Sequence, residues 1–69
     1  MAKRALPREV HRLACEFKTD VQHRRALGDR QAEYHAQRPK VQAYKLMLDA
    51  GLRPREAVKR FARILRKCR

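Results

Sequence analysis

Sixty-nine residues, 43% of them hydrophobic, make one small helical domain over residues 1–69 and leave no room for a second. Nineteen Lys and Arg against seven Asp and Glu give a formal charge of +12, which repels itself and attracts polyanions. Two cysteines are too few for a disulfide-dense secreted scaffold, and no apolar run is long enough for a signal peptide or a membrane span.

These bounds place the chain in the cytoplasm, or inside a host cell if it is viral, and away from membranes. A Cys15–Cys68 bond would need the chain ends to meet and is not expected in a reducing compartment, so both are expected to be free thiols. Residues 1–6 lack a periodic pattern and are expected to be flexible.

The first helix is predicted over residues 7–27. Val10, Leu13, Ala14, Phe17 and Val21 recur at i, i+3, i+4 and i+7. Pro7 suits a first helical position, and Gly28 suits a stop. Arg8, Arg12, Lys18 and Arg25 fall off the apolar stripe. Asp29 is expected to cap a second, short and polar helix over residues 29–38, with a break at residues 37–39 where Pro39 interrupts it.

A third helix is predicted over residues 39–50. Val41, Ala43, Tyr44, Leu46, Met47, Leu48 and Ala50 make it apolar on more than one face, so it is expected to be the central element. Gly51 is its natural stop. The fourth helix starts at Pro54, with Glu56 in its first turn, and turns Ala57, Val58, Phe61, Ala62, Ile64 and Leu65 inward. The fold class is therefore all-α, a bundle of three to four helices with no strand.

The most specific local pattern joins the last two helices. Gly51 ends one, and Pro54 begins the next after only Leu52 and Arg53. This is the connection expected in a helix-turn-helix, whose second helix meets the major groove of DNA. Two positions depart from the usual turn. Met47 stands four residues before the glycine, where a small residue is usual, and the charged Arg60 stands where an apolar one is expected. Plain helical hairpins share the same Gly-Leu junction.

The charge is concentrated in the same place. Between residues 53 and 69 there are eight Lys or Arg and one carboxylate, Glu56. Arg55, Lys59, Arg63 and Arg66 or Lys67 form an outer stripe with no acid at i, i+4 to pair them. Thirteen of the 19 cations are Arg, whose planar fork matches phosphate and guanine edges, although a GC-rich coding sequence would favour Arg as well. Arg53, Arg55 and Lys59 are expected nearest a groove. Arg60, Arg63, Arg66 and Lys67 are expected at phosphates. Further positive charge is spread over Arg8, Arg12, Arg24, Arg25, Arg30 and Arg38, and a second patch would come from the first helix or from residues 29–40.

Other chemistry has little support. The chain has no Ser, one Thr and no Gly-rich phosphate loop, so no enzyme activity, catalytic residue or cofactor is expected. His11 and Cys15 stand one helical turn apart, a two-ligand spacing, but no second pair completes a site and no metal is expected. Phe17, Phe61 and Tyr44 fall on apolar stripes, which leaves Tyr34 as the one aromatic available to stack on a base.

The sequence thus points to a small basic nucleic-acid-binding protein, with duplex DNA favoured over RNA. It would be a regulator or accessory factor of plasmid or phage type, and a homodimer would complete its small core. Two alternatives use the same charges. One is a cationic interaction or inhibitor protein that docks on an acidic protein or on the nucleic-acid site of a larger machine. The other is an RNA-binding or ribosome-associated helical protein.

Overall fold

The computed structural model describes residues 6–68, and in them four helices and no strand are found. They are α1 (Arg8–Ala26), α2 (Ala32–His35), α3 (Gln37–Asp49) and α4 (Pro54–Lys67). The protein is all-α, as its periodicity implies. Residues 1–5 of the expected flexible start lie outside the described range. Leu6 does not follow that expectation, since it is half-buried and packs against the core.

Helix α3 is central in contact, as expected, but α1 shares that place and buries more residues. Val10, Leu13, Ala14, Phe17 and Val21 of α1 are all buried, and α1 and α3 each pack against the other three helices. Helix α3 buries only Ala43 and Met47, while Val41 and Leu48 stay 54% and 45% exposed. Its apolar residues outnumber the positions that α1 and α4 can cover. Among the described residues, no further helix covers that second face.

Three aromatic rings from three helices form the middle of the core. Phe61 of α4 lies 5.8 Å from Phe17 of α1 and 5.0 Å from Tyr44 of α3, centroid to centroid. The pairs are tilted, as ring quadrupoles prefer. Lys40 Nζ sits over two of the rings, 5.6 Å from Phe17 and 6.0 Å from Tyr44. Burial pushes the Tyr44 hydroxyl above its ordinary pKa.

The two glycines stop helices by one hydrogen-bond pattern. At the end of α1, Gly28 N donates to Arg25 O and Asp29 N to Arg24 O; at the end of α3, Gly51 N donates to Leu48 O and Leu52 N to Met47 O. Both glycines have positive φ, +87° at Gly28 and +99° at Gly51. This is the Schellman termination, in which a left-handed residue satisfies carbonyls that the helix leaves open.

The middle segment departs from its expected boundaries. Helix α2 spans only Ala32–His35, and the break falls at Ala36, before Pro39. Pro39 lies in the first turn of α3, where its missing N–H would have no intrahelical partner. Asp29 does not cap α2 directly. Its Oδ1 accepts from Gln31 N at 2.9 Å, and His35 Nδ1 donates to its Oδ2 at 2.7 Å.

Cys15 and Cys68 are bonded, contrary to the expectation of free thiols, and the bond spans 53 residues. The chain ends need not meet for this. Cys15 lies in the middle of α1, and α4 folds back so that its C-terminal end reaches that middle. Lys18, expected off the apolar stripe and outside, is half-buried and serves the same junction. Its Nζ donates to Leu65 O at 3.0 Å and to Cys68 O at 2.8 Å, so an α1 cation closes the carbonyl end of α4.

Candidate nucleic-acid interface

Helix α4 separates its two roles by face. Ala57, Phe61 and Cys68 are buried, with Ile64 and Leu65 half-buried beside them. These positions recur at three- and four-residue steps and hold one side of the helix to the core. Val58 and Ala62, expected on the same side, are exposed. They sit one position past the buried Ala57 and Phe61, and a helix turns about 100° per residue.

The N-terminal end of α4 is fixed by local chemistry. Pro54 occupies the first helical position, and Arg53 N donates to Glu56 Oε1 at 3.1 Å. Glu56 is thus held back along its own turn, and Arg53 stands in extended backbone ahead of the helix with φ −78° and ψ 157°.

Every sequence-expected contact residue is exposed: Arg53, Arg55, Lys59, Arg60, Arg63, Arg66 and Lys67. Among the described residues, no carboxylate lies within ion-pairing distance of any of them. At 100° per residue, Arg55, Lys59, Arg63 and Arg66 lie opposite the buried face. Arg53, Arg60 and Lys67 form a second row at seven-residue steps beside it.

Elsewhere in the molecule half of the described arginines are paired. Arg12 pairs with Glu9 and lies 3.9 Å from Glu16; Arg24 meets Asp20 at 3.1 Å; Arg25 meets Glu33 at 2.8 Å. The Glu9 contact raises the Arg12 pKa further. The hydrogen bond from His35 is the main cause that holds the Asp29 carboxyl below the usual carboxylate range. Arg8, Arg30 and Arg38 remain exposed and without an acid among the described residues. Of the six described arginines outside α4 and its lead-in, therefore, half are paired within the fold and half are not.

The positions that departed from a helix-turn-helix have structural roles. Met47 is fully buried and forms the α3 side of the Schellman stop, and Arg60 points to solvent beside the buried Phe61. Tyr34 is 66% exposed, as expected, but stands on α2 and outside the α4 face.

Sequence reasoning missed two features at the far end of α4: the Lys18 closure and the proximity of His11 to the disulfide. The ligand atoms of His11, Cys15 and Cys68 all lie within 4.8 Å of one another. The available signal was Cys68 itself, which continues the Ala57–Phe61–Ile64 row inward; nothing local identifies Cys15 as its neighbour. Among the described residues, no helix is long and apolar enough to cross a membrane. Comparison with protein families, curated proteins and solved structures returns no match.

Proposed function

We propose that the chain binds nucleic acid, duplex DNA in preference to RNA, through the solvent face of α4, and acts by occupancy as a small regulator or accessory factor. One observation carries the proposal. The seven cations of α4 and its lead-in are all exposed and without a carboxylate partner among the described residues, whereas Arg12, Arg24 and Arg25 each have one. Charge left wholly unpaired on one helix, in a chain that pairs half of its other described arginines, fits a counter-charge supplied from outside. The Gly51–Pro54 junction supports a helix presented end-on to a groove, with Arg53 and Arg55 at its leading end.

A second copy fits the same reading. Val41 and Leu48 on α3 and Val58 on α4 remain exposed, and a core this small gains from added apolar burial.

The test is a binding series against random-sequence duplex DNA at increasing salt. The expected result is a linear fall of log K with log salt, with four to eight phosphates neutralised and a slope of roughly −4 to −7. A nearly flat dependence would remove the phosphate contacts from the reading. Tighter binding of structured RNA than of duplex DNA in direct competition would favour the ribosome-associated alternative. Capture by an acidic protein with DNA ignored would favour the inhibitor.

A further inference from the structure

His11 and Cys15 stand at i and i+4 on α1, so both side chains leave the helix on one face. Cys68 reaches the same place from the end of α4. The ring nitrogen and the two sulfurs then lie within 4.8 Å of one another, with Cys15 half-buried and Cys68 buried. Two sulfurs and one imidazole are the donor set of a tetrahedral zinc site with its fourth position open.

We propose that the reduced chain binds one zinc ion through Cys15 Sγ, Cys68 Sγ and a ring nitrogen of His11, with water in the fourth position. The Cys15–Cys68 disulfide is the oxidised, metal-free state of that site. This goes beyond nucleic-acid binding and does not depend on it.

Three features support the site. First, Cys68 is held at α1 by more than its own bond. Lys18 Nζ grips Leu65 O and Cys68 O, and Phe61 packs on Phe17. Reduction therefore leaves the two sulfurs neighbours. Second, the reach is right. Zinc–sulfur bonds of about 2.3 Å at a tetrahedral angle place two thiolates about 3.8 Å apart. The Cα atoms of Cys15 and Cys68 are 5.3 Å apart, so side-chain rotation opens the sulfurs to that distance. Third, two thiolates neutralise the ion, so a chain already at +12 gains no net charge on binding.

The chemistry balances. A cellular dithiol delivers two electrons and two protons to the disulfide and becomes a disulfide itself, leaving two thiols on the chain. Zinc then displaces both thiol protons to solvent, and neutral His11 donates a lone pair. The ligands come from two helices, so the metal ties the end of α4 to α1 where the disulfide tied it before.

The experiment uses the full chain, reduced anaerobically with a phosphine, and cobalt(II) as the visible probe for zinc. The expected result is one cobalt per chain, with tetrahedral d–d bands and thiolate-to-cobalt charge transfer that zinc abolishes. The oxidised chain should give neither. His11→Ala should weaken zinc at least about tenfold, the loss found even when an outer-shell partner is removed. Cys15→Ser or Cys68→Ser should weaken both cobalt affinity and the charge-transfer band, since only one thiolate remains.

Circular dichroism recorded during the zinc titration covers loss of folding on reduction. Helix returning at one zinc per chain supports the site. The proposal is overturned by absence of the charge-transfer band, by one metal shared between two chains, by His11→Ala binding as tightly as the parent, or by an unfolded reduced chain that zinc does not refold.

Discussion

Single residues divide into those that hold the fold and those that the fold presents. Phe61 belongs to the first kind. It is 3% exposed and touches aromatic rings from two other helices. Phe61→Ala is expected to cost about 3–5 kcal/mol, which in a domain this small should largely unfold it. A thermal melt checks this, and an unchanged midpoint would contradict the aromatic core. Gly51 is a backbone case. Its φ of +99° is strained for any residue with a Cβ, so Gly51→Val should cost about 1–2 kcal/mol in a denaturant titration.

Arg55 and Arg66 belong to the second kind. Both are exposed, and neither should affect stability measurably. On DNA they should differ. Arg55 lies in the first turn of α4, near base edges in the proposed pose. Its replacement by Ala should weaken a preferred site by about 1–3 kcal/mol and spare random DNA. Arg66 lies in the last turn, so Arg66→Ala should weaken all sequences alike and reduce the salt slope by about one. Equal loss for both variants on random DNA, with no motif enriched by sequence selection, would leave a charge-driven binder without base reading.

At the scale of elements, what matters is how helix ends are closed. Local chemistry closes α1 and α3 through their glycines, and Pro54 with Glu56 opens α4. The far end of α4 is closed from another helix. Lys18→Met keeps the aliphatic stem and removes two hydrogen bonds to carbonyls. The expected cost is about 1–2 kcal/mol, with faster amide exchange confined to the last turn of α4.

The α1–α2 connection has a pH sensitivity of definite sign. The Asp29 pKa is depressed in the folded chain, chiefly by the hydrogen bond from His35. Its contribution is therefore present above the ordinary aspartate value, about 3.9, and lost as pH falls through the lower folded value. An acid titration followed by nuclear magnetic resonance should show residues 29–36 loosening before the core, and Asp29→Asn should remove that early step.

For the whole molecule, the cross-link dominates. A bond that spans 53 residues restricts the unfolded chain, by loop-closure entropy, to the extent of about 4 kcal/mol. Reduction with a chelator present should lower the melting temperature by roughly 15–30 °C in a domain of this size. A shift of a few degrees would mean that the helices pack as well without a link. The charge acts in the opposite sense. With +12 on 69 residues, added salt should raise stability by screening repulsion while it weakens DNA binding. The two opposed responses can be read from the same samples.

The sequence by itself determined the helices and their principal stops. The α1 stripe from Val10 to Val21, the turns at Gly28 and Gly51, the start at Pro54 and the solvent face of α4 depend on neighbours within a few residues. Helical periodicity, glycine backbone freedom and a proline at a helix start act over that same range. The exposure of Arg53, Arg55, Lys59, Arg60, Arg63, Arg66 and Lys67 was legible for the same reason, since the solvent side of an amphipathic helix follows from its register, although Val58 and Ala62 were expected inward and lie outside. Only the tertiary structure decided how much of each apolar face is buried. The six non-polar residues from Val41 to Leu48 in α3 describe what could be buried, but the area offered by α1 and α4 set what was, and Val41 and Leu48 were left outside. It also decided the fate of Cys15, Lys18, Cys68 and His11. Their proximity crosses about fifty positions of chain, and it follows from where α4 lands on α1, which no local pattern specifies.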